Sequence, residues 1–380
     1  MEYYVGSPNI ANKEQFDLFV KDILSSGQLT NNGKYVNLLE DYIKNFTGAK
    51  DAIAVCNATQ GLELLLSTLP KQSYVVTPAF TFIATTTAIL RAGLIPLFVD
   101  VTDKFKMDLD HLERILNDYS KMGYGVSAIL PVNLYGGIDL NSKMKKLALE
   151  HGAKIFYDSA HSLGSVNDCF GDAEVYSLHA TKLVNGFEGG VIVTKDLELA
   201  TRLRQLRNFN YIGSTIEDTE GDFVRFSDMG LYEASYSYGT NAKLSEVHAA
   251  MALSNIYKLD YLIANNRCNY YDYINLINNT VGEYIVQDLG SVTNYSYLVC
   301  RHPDRDYIVS ELKKKGIHAR KYFYHLTCDQ FGYKPLLPTS RKLVQEVFCL
   351  PTGLNIKHPE VEFIANAVTS ALEQRKNMLI

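Results

Sequence analysis

Ser177-Leu-His-Ala-Thr-Lys182-Leu-Val-Asn-Gly-Phe-Glu-Gly-Gly190 sets one lysine after a short apolar strand and ahead of a turn closed by two glycines. Upstream, Asp158 stands at the end of another apolar run, Lys154-Ile-Phe-Tyr157. A lysine amine and a carboxylate at two strand ends are what pyridoxal phosphate (PLP) chemistry on amines requires. The amine condenses with the cofactor aldehyde, and the carboxylate keeps the pyridine nitrogen protonated so that the ring accepts electrons. Asp and Lys are each common beside strand ends, so the pair takes its meaning from the residues around it.

Outward from this stretch the chain alternates strand and helix. Apolar runs at 52–56, 74–77, 95–100, 128–132, 155–157, 175–178 and 191–194 predict strands. Helical spacing fills the gaps, as in the helix opened by Thr59, at 82–92, and at 142–151 and 197–207. Buried β-rich runs separated by helices predict an α/β fold, a mostly parallel sheet flanked by helices. Polar residues at strand ends (Asn57, Asp158, His179) would line the crevice where such sheets bind ligands. Beyond Leu244 the pattern changes to a long amphipathic helix over 246–266, then a smaller α+β unit with a strand at 296–300. These readings divide the chain into a large domain, 1–250, and a small C-terminal domain, 251–380.

Composition bounds the function. At 380 residues the chain exceeds the usual single core. A net charge of −5 without a long basic stretch argues against nucleic acid as a partner. The six cysteines lie far apart, so neither a metal site nor a disulfide framework is expected. Met1-Glu-Tyr-Tyr-Val-Gly-Ser-Pro8 lacks a basic n-region and an apolar h-region, and no apolar run approaches membrane-spanning length, so the expectation is a reduced, cytoplasmic protein.

Each candidate residue has a plainer reading beside it. Lys182 reads as a surface lysine in isolation, but Ser177, His179 and Thr181 surround it with small or polar groups, and a reactive amine needs partial desolvation. Asp158 suits a helix N-cap or a pyridinium partner. His161 suits a bond to the cofactor's phenolate oxygen or a satisfied interior histidine. Asn57-Ala58-Thr59 offers helix N-terminal N–H groups to a phosphate, or a simple cap. Ser177 can donate a hydroxyl to the same phosphate. Phe82 can stack on a flat cofactor or belong to the core. Gly189-Gly190 close a turn without a chemical role.

The matches then run nearly end to end. Gly27-Gln-Leu-Thr-Asn-Asn-Gly33, Thr77-Pro-Ala-Phe-Thr-Phe-Ile-Ala-Thr85, Pro131-Val-Asn-Leu-Tyr-Gly136, Tyr157-Asp-Ser-Ala-His161, the lysine stretch, Asn241-Ala-Lys-Leu-Ser-Glu246 and Gly316-Ile-His-Ala-Arg-Lys-Tyr-Phe323 resemble the DegT/DnrJ/StrS family of PLP-dependent sugar aminotransferases. The resemblance implies the aspartate aminotransferase (type I) fold and a homodimer whose active sites are shared between subunits. Carried over, Lys182 bonds the cofactor aldehyde, Asp158 faces the pyridinium, and His161 lies beside the cofactor. Ala58 and Thr59 supply phosphate-binding backbone where the family usually has Gly-Thr, Ser177 binds phosphate, and Phe82 stacks. Asn241 reaches the phosphate from the partner subunit. Some relatives carry His in place of the lysine and dehydrate sugars; Lys182 favours transamination.

The wording is similar to the branch that aminates nucleotide-linked 4-keto-6-deoxyhexoses, such as dTDP-4-keto-6-deoxyglucose, with L-glutamate as donor. Arg320 and Lys321 are candidate partners for the substrate's diphosphate, with a solvated basic pair as the alternative. Two rival functions stay open: an acceptor that is another keto position or a small phosphorylated ketone, and a regulatory protein that binds PLP without turnover.

Overall fold

The computed structural model describes residues 2–139, 141–210, 239–279, 285–290 and 292–378. Its centre is a seven-stranded sheet in the order β2-β8-β7-β6-β5-β3-β4. These strands are β2 (Asp51–Val55), β3 (Tyr74–Pro78), β4 (Ile95–Val99), β5 (Val126–Ile129), β6 (Lys154–Asp158), β7 (Ala173–Ser177) and β8 (Gly190–Thr194). β1 (Tyr3–Tyr4) lies elsewhere. Only β8 runs against its neighbours; the other pairings in the sheet are parallel. The parallel strands therefore present their carboxyl ends along one edge.

Both faces of the sheet are covered, as the unbroken apolar runs require. On β2, alternate residues serve opposite cores: Ala52 and Ala54 join one cluster, Ile53 and Val55 the other. The first cluster includes residues of α1 (Lys13–Ser26) and α2 (Lys34–Thr47). The second includes residues of α3 (Ala58–Leu66) and α4 (Ile83–Arg91). α5 (Leu109–Lys121) and α6 (Ser142–His151) pack near β4 and β5, and α7 (Leu197–Arg207) near β2.

The single helix expected over 246–266 is two: α8 (Glu246–Ile256) and α9 (Leu259–Tyr273). α8 is buried on nearly every side against α1 and α2, so it has no solvent face to make it amphipathic. Asn255 fastens its end by donating to the Asn185 carbonyl at 2.8 Å and accepting from Ala11 N–H at 2.7 Å. The chain turns at Lys258 before α9 begins.

In the C-terminal part, β9 (Leu298–Arg301) pairs antiparallel with β11 (Val347–Leu350). The helices Arg305–Lys314 and His358–Met378 pack on this pair around Ile308, Phe348 and Ile364. β1 pairs parallel with β10 (Ile317–His318), which joins the N-terminal residues to the C-terminal part. Between the sheet and β9/β11, Phe80, Val132 and Tyr135 share a cluster with Tyr297, Val299 and Phe323. That packed seam places C-terminal side chains over the sheet's carboxyl edge.

Candidate active site

A cavity of about 600 Å³ opens at that edge, where β2, β3, β6 and β7 end. Eight of the candidate site residues line it: Ala58, Thr59, Phe82, Asp158, His161, Ser177, Lys182 and Arg320. Arg320 closes it from the C-terminal part. Lys321 turns away and pairs with Asp306 at 2.7 Å. Asn241 is exposed, bridges Asn208 through the backbone, and does not line the cavity of its own chain.

Asp158 ends β6 and is buried. Burial pushes its carboxyl above the ordinary range, opposed by two hydrogen bonds and the Lys182 charge. Thr85 donates to Oδ2 at 2.7 Å and Ala160 N–H to Oδ1 at 3.2 Å. Behind it, Ser159 donates to Glu174 at 2.8 Å and accepts from Asn133 at 2.9 Å. Glu174 also accepts from Tyr176 at 3.1 Å and from the Phe170 N–H, and burial pushes its carboxyl up to about 7. A second layer of bonds thus fixes the strand end that carries Asp158.

Lys182 is partly buried, and desolvation brings its amine down to about 8. Asp158 opposes that shift and Arg320 adds to it. Nζ donates to the hydroxyl of Tyr297 at 3.2 Å. The result is an amine that is neutral in a useful fraction near neutral pH, which a nucleophile or proton carrier needs.

His161 is buried with its ring 4.4 Å from that of Tyr297. Nδ1 accepts from Tyr135 N–H at 3.2 Å, so Nε2 carries the proton of the neutral ring. Burial, Lys182 and Arg320 all hold this imidazole well below its usual value, leaving it a neutral donor.

The opposite wall suits an anion. Asn57 caps α3 by accepting from Gln60 N–H at 2.8 Å, which leaves the amides of Ala58 and Thr59 at the helix start facing the cavity. Ala58 does not lie in the left-handed region, so an alanine there costs the backbone nothing. Gly190 has a role that its sequence position hid. A Cβ on it would lie 2.6 Å from Ala58 N, so only glycine lets β8 sit against this loop. Phe82 is 49% exposed at the rim, a ring face left free of the core.

Sequence reasoning missed Thr85, Tyr297 and Glu174. Thr85 lay inside a quoted motif, yet nothing local distinguished it from the threonines beside it. Tyr297 reaches Lys182 across the seam, and no spacing encodes that contact.

The profile of the DegT/DnrJ/EryC1/StrS aminotransferase family matches residues 10–369. The dTDP-4-amino-4,6-dideoxy-D-glucose transaminase of Escherichia coli is 30% identical, across 92% of this chain and 94% of that one. The protein of the same name from Shigella dysenteriae is 28% identical, across 96% and 98%. Among solved structures, DesI, determined in the presence of its TDP-sugar product, superposes with a TM-score of 0.85 at 31% identity, covering all of this chain and 95% of its own. A family match over nearly the whole chain, with the lysine, the carboxylate and the loop that starts α3 on one cavity, makes this protein a member of the DegT/DnrJ/EryC1/StrS aminotransferase family.

Proposed function

We propose that the enzyme uses PLP to move an amino group from L-glutamate to a nucleotide-linked 4-keto-6-deoxy sugar. The observation that carries this reading is the buried Asp158 carboxylate sharing a cavity with the depressed Lys182 amine. The residues present fit the cofactor: a carboxylate for the ring nitrogen, N–H groups and the Ser177 hydroxyl for the phosphate, the Phe82 ring for stacking, and His161 Nε2–H for the ring oxygen. When bound, PLP supplies the electron sink that lets a C–H bond beside an amine ionise.

The chain's own residues do the rest. Asp158, whose carboxyl accepts from Thr85 and Ala160, would hold the ring nitrogen and supply the negative charge that keeps it protonated. Lys182 Nζ takes the proton released from the donor's Cα and returns it to the other side of the transfer. Arg320, its guanidinium 4.6 Å from the Tyr322 ring centroid, has no carboxylate partner among the described residues and faces the cavity, which suits an anionic part of the substrate. The names of the relatives support a nucleotide sugar as acceptor. An exposed Asn241 outside its own chain's cavity supports a homodimer with shared sites. Six unbonded cysteines suit a reducing cytoplasm. Among the described residues, no helix is long and apolar enough to cross a membrane.

The test has two stages. The PLP-loaded protein is titrated with L-glutamate while its absorbance is recorded, and then offered a panel of nucleotide-linked keto sugars. A glutamate-dependent spectral change followed by an aminated 4-keto-6-deoxy product is expected. An unmoved spectrum overturns the enzymatic reading; a change without that product overturns the acceptor.

A further inference from the structure

Tyr297 enters the cavity region from the segment before β9, and its hydroxyl oxygen lies 3.2 Å from Lys182 Nζ. The side chain is only 3% exposed. Its ring is packed between those of His161, at 4.4 Å, and Tyr322, at 5.7 Å, so the hydroxyl has little freedom to leave the lysine. We propose that Tyr297 is a positioning residue for Lys182, holding the amine whenever it is not bonded to the cofactor and thereby fixing the direction of its lone pair.

The argument is one of hydrogen-bond capacity. A neutral amine has two N–H groups and one lone pair. When one N–H is given to Tyr297, the lone pair must point elsewhere. Lys182 Nζ is the donor in the 3.2 Å contact with the Tyr297 hydroxyl. The hydroxyl oxygen therefore meets Lys182 as an acceptor. Burial keeps this phenol well above its ordinary value, so it stays a neutral hydroxyl and does not compete for the lysine's proton. Once Lys182 is protonated, the same contact becomes a charge-assisted bond. The ammonium also lies 5.8 Å from the centroid of the Tyr297 ring.

Three other titratable or charged groups act on the amine or its neighbour. Asp158 favours the ammonium, Arg320 opposes it, and His161 is held neutral. Tyr297 joins Asp158 in this balance while adding direction, which a charge at a distance does not supply. The lysine can then carry a proton without losing its place.

The test uses Tyr297→Phe, which keeps the ring and deletes only the acceptor. In apoenzyme, acylation of Lys182 by acetic anhydride is followed against pH by peptide mapping. Wild type should become reactive as pH rises through about 8. The variant should do so at a pH lower by about one, since its ammonium loses a charged hydrogen bond. Superimposable curves overturn the proposal.

A second arm rests on the aminotransferase reading. With holoenzyme, the first half-reaction with α-deuterated glutamate should slow about tenfold in the variant and show a larger isotope effect, because proton transfer now limits. An unchanged isotope effect overturns the proposal. A wild type inert to glutamate would instead overturn the proposed function, and the apoenzyme arm would still decide on Tyr297. If Tyr297→Phe does not fold, 3-fluorotyrosine inserted at 297 is nearly isosteric and a weaker acceptor. It should move the reactivity curve in the same direction by less, and no movement overturns the proposal.

Discussion

Thr85 donates its hydroxyl to Oδ2 of Asp158 at 2.7 Å, and both side chains are buried. Because that single proton is committed, Thr81, 2.9 Å away, is the donor to Thr85. A short chain of hydroxyls thus opposes the upward push of burial on this carboxyl. Thr85→Val keeps the shape and removes the bond, so the Asp158 carboxyl rises further. The acid limb of the pH–rate profile should move to higher pH, with a loss of about tenfold or more at neutral pH, since a bond to a charged group contributes about 1.5–3 kcal/mol. Superimposable profiles would show that Thr85 serves packing alone.

Asp158→Asn should bind PLP and lose most turnover. An amide cannot hold a pyridine nitrogen protonated, and several kcal/mol of stabilisation correspond to about a thousandfold in rate. Stopped-flow measurement of the glutamate half-reaction is the check. Near-wild-type rates would reduce Asp158 to a residue that only ends a strand.

Glu174 offers a stability test separate from turnover. Its folded-state carboxyl is raised to about 7, against an ordinary value of 4.5. Below about 4.5 the group is protonated in both states and costs nothing. As pH rises toward 7 the unfolded chain ionises first, and folding stability is lost across that window. Glu174→Gln removes this titration, so urea unfolding from pH 5 to 8 should show the variant gaining on wild type by roughly 3 kcal/mol. Parallel curves would place the ionisation elsewhere.

Asn241 tests whether the site is shared between subunits. Lys182→Ala and Asn241→Ala proteins are mixed under conditions that allow subunit exchange. If Asn241 serves the partner's cavity, one site of each heterodimer carries both lesions and the other neither. Activity should then exceed that of either parent. Full exchange that yields only their average would place Asn241 in its own subunit's site.

Much of this architecture could be read from the chain because its signals are local. Buried parallel strands appear as unbroken apolar runs, and the strand ends that carry Asn57, Asp158 and Ser177 fall where those runs stop. α8 resisted the same reading because a helix buried on every side has no periodic polar face. Thr85 and Tyr297 resisted it for another reason. Each matters through a contact with a residue far along the chain: the sheet's carboxyl edge brings Thr85 to Asp158, and the packed seam with the C-terminal strands brings Tyr297 to Lys182. Gly190 was read as a turn residue because its tight neighbour, Ala58, is likewise remote.

The pairing of β1 with β10 bears on the order in which the chain matures during synthesis. Tyr3 leaves the ribosome about 300 residues ahead of Ile317, its partner in the pair. At about 5–20 residues per second, the first strand waits roughly 15–60 seconds for the edge it will occupy. The central sheet can assemble in that interval, but the C-terminal part cannot be completed with its first strand until translation is nearly over. A nascent chain arrested before residue 317 should therefore expose its N-terminal segment to protease, even where the sheet is already protected.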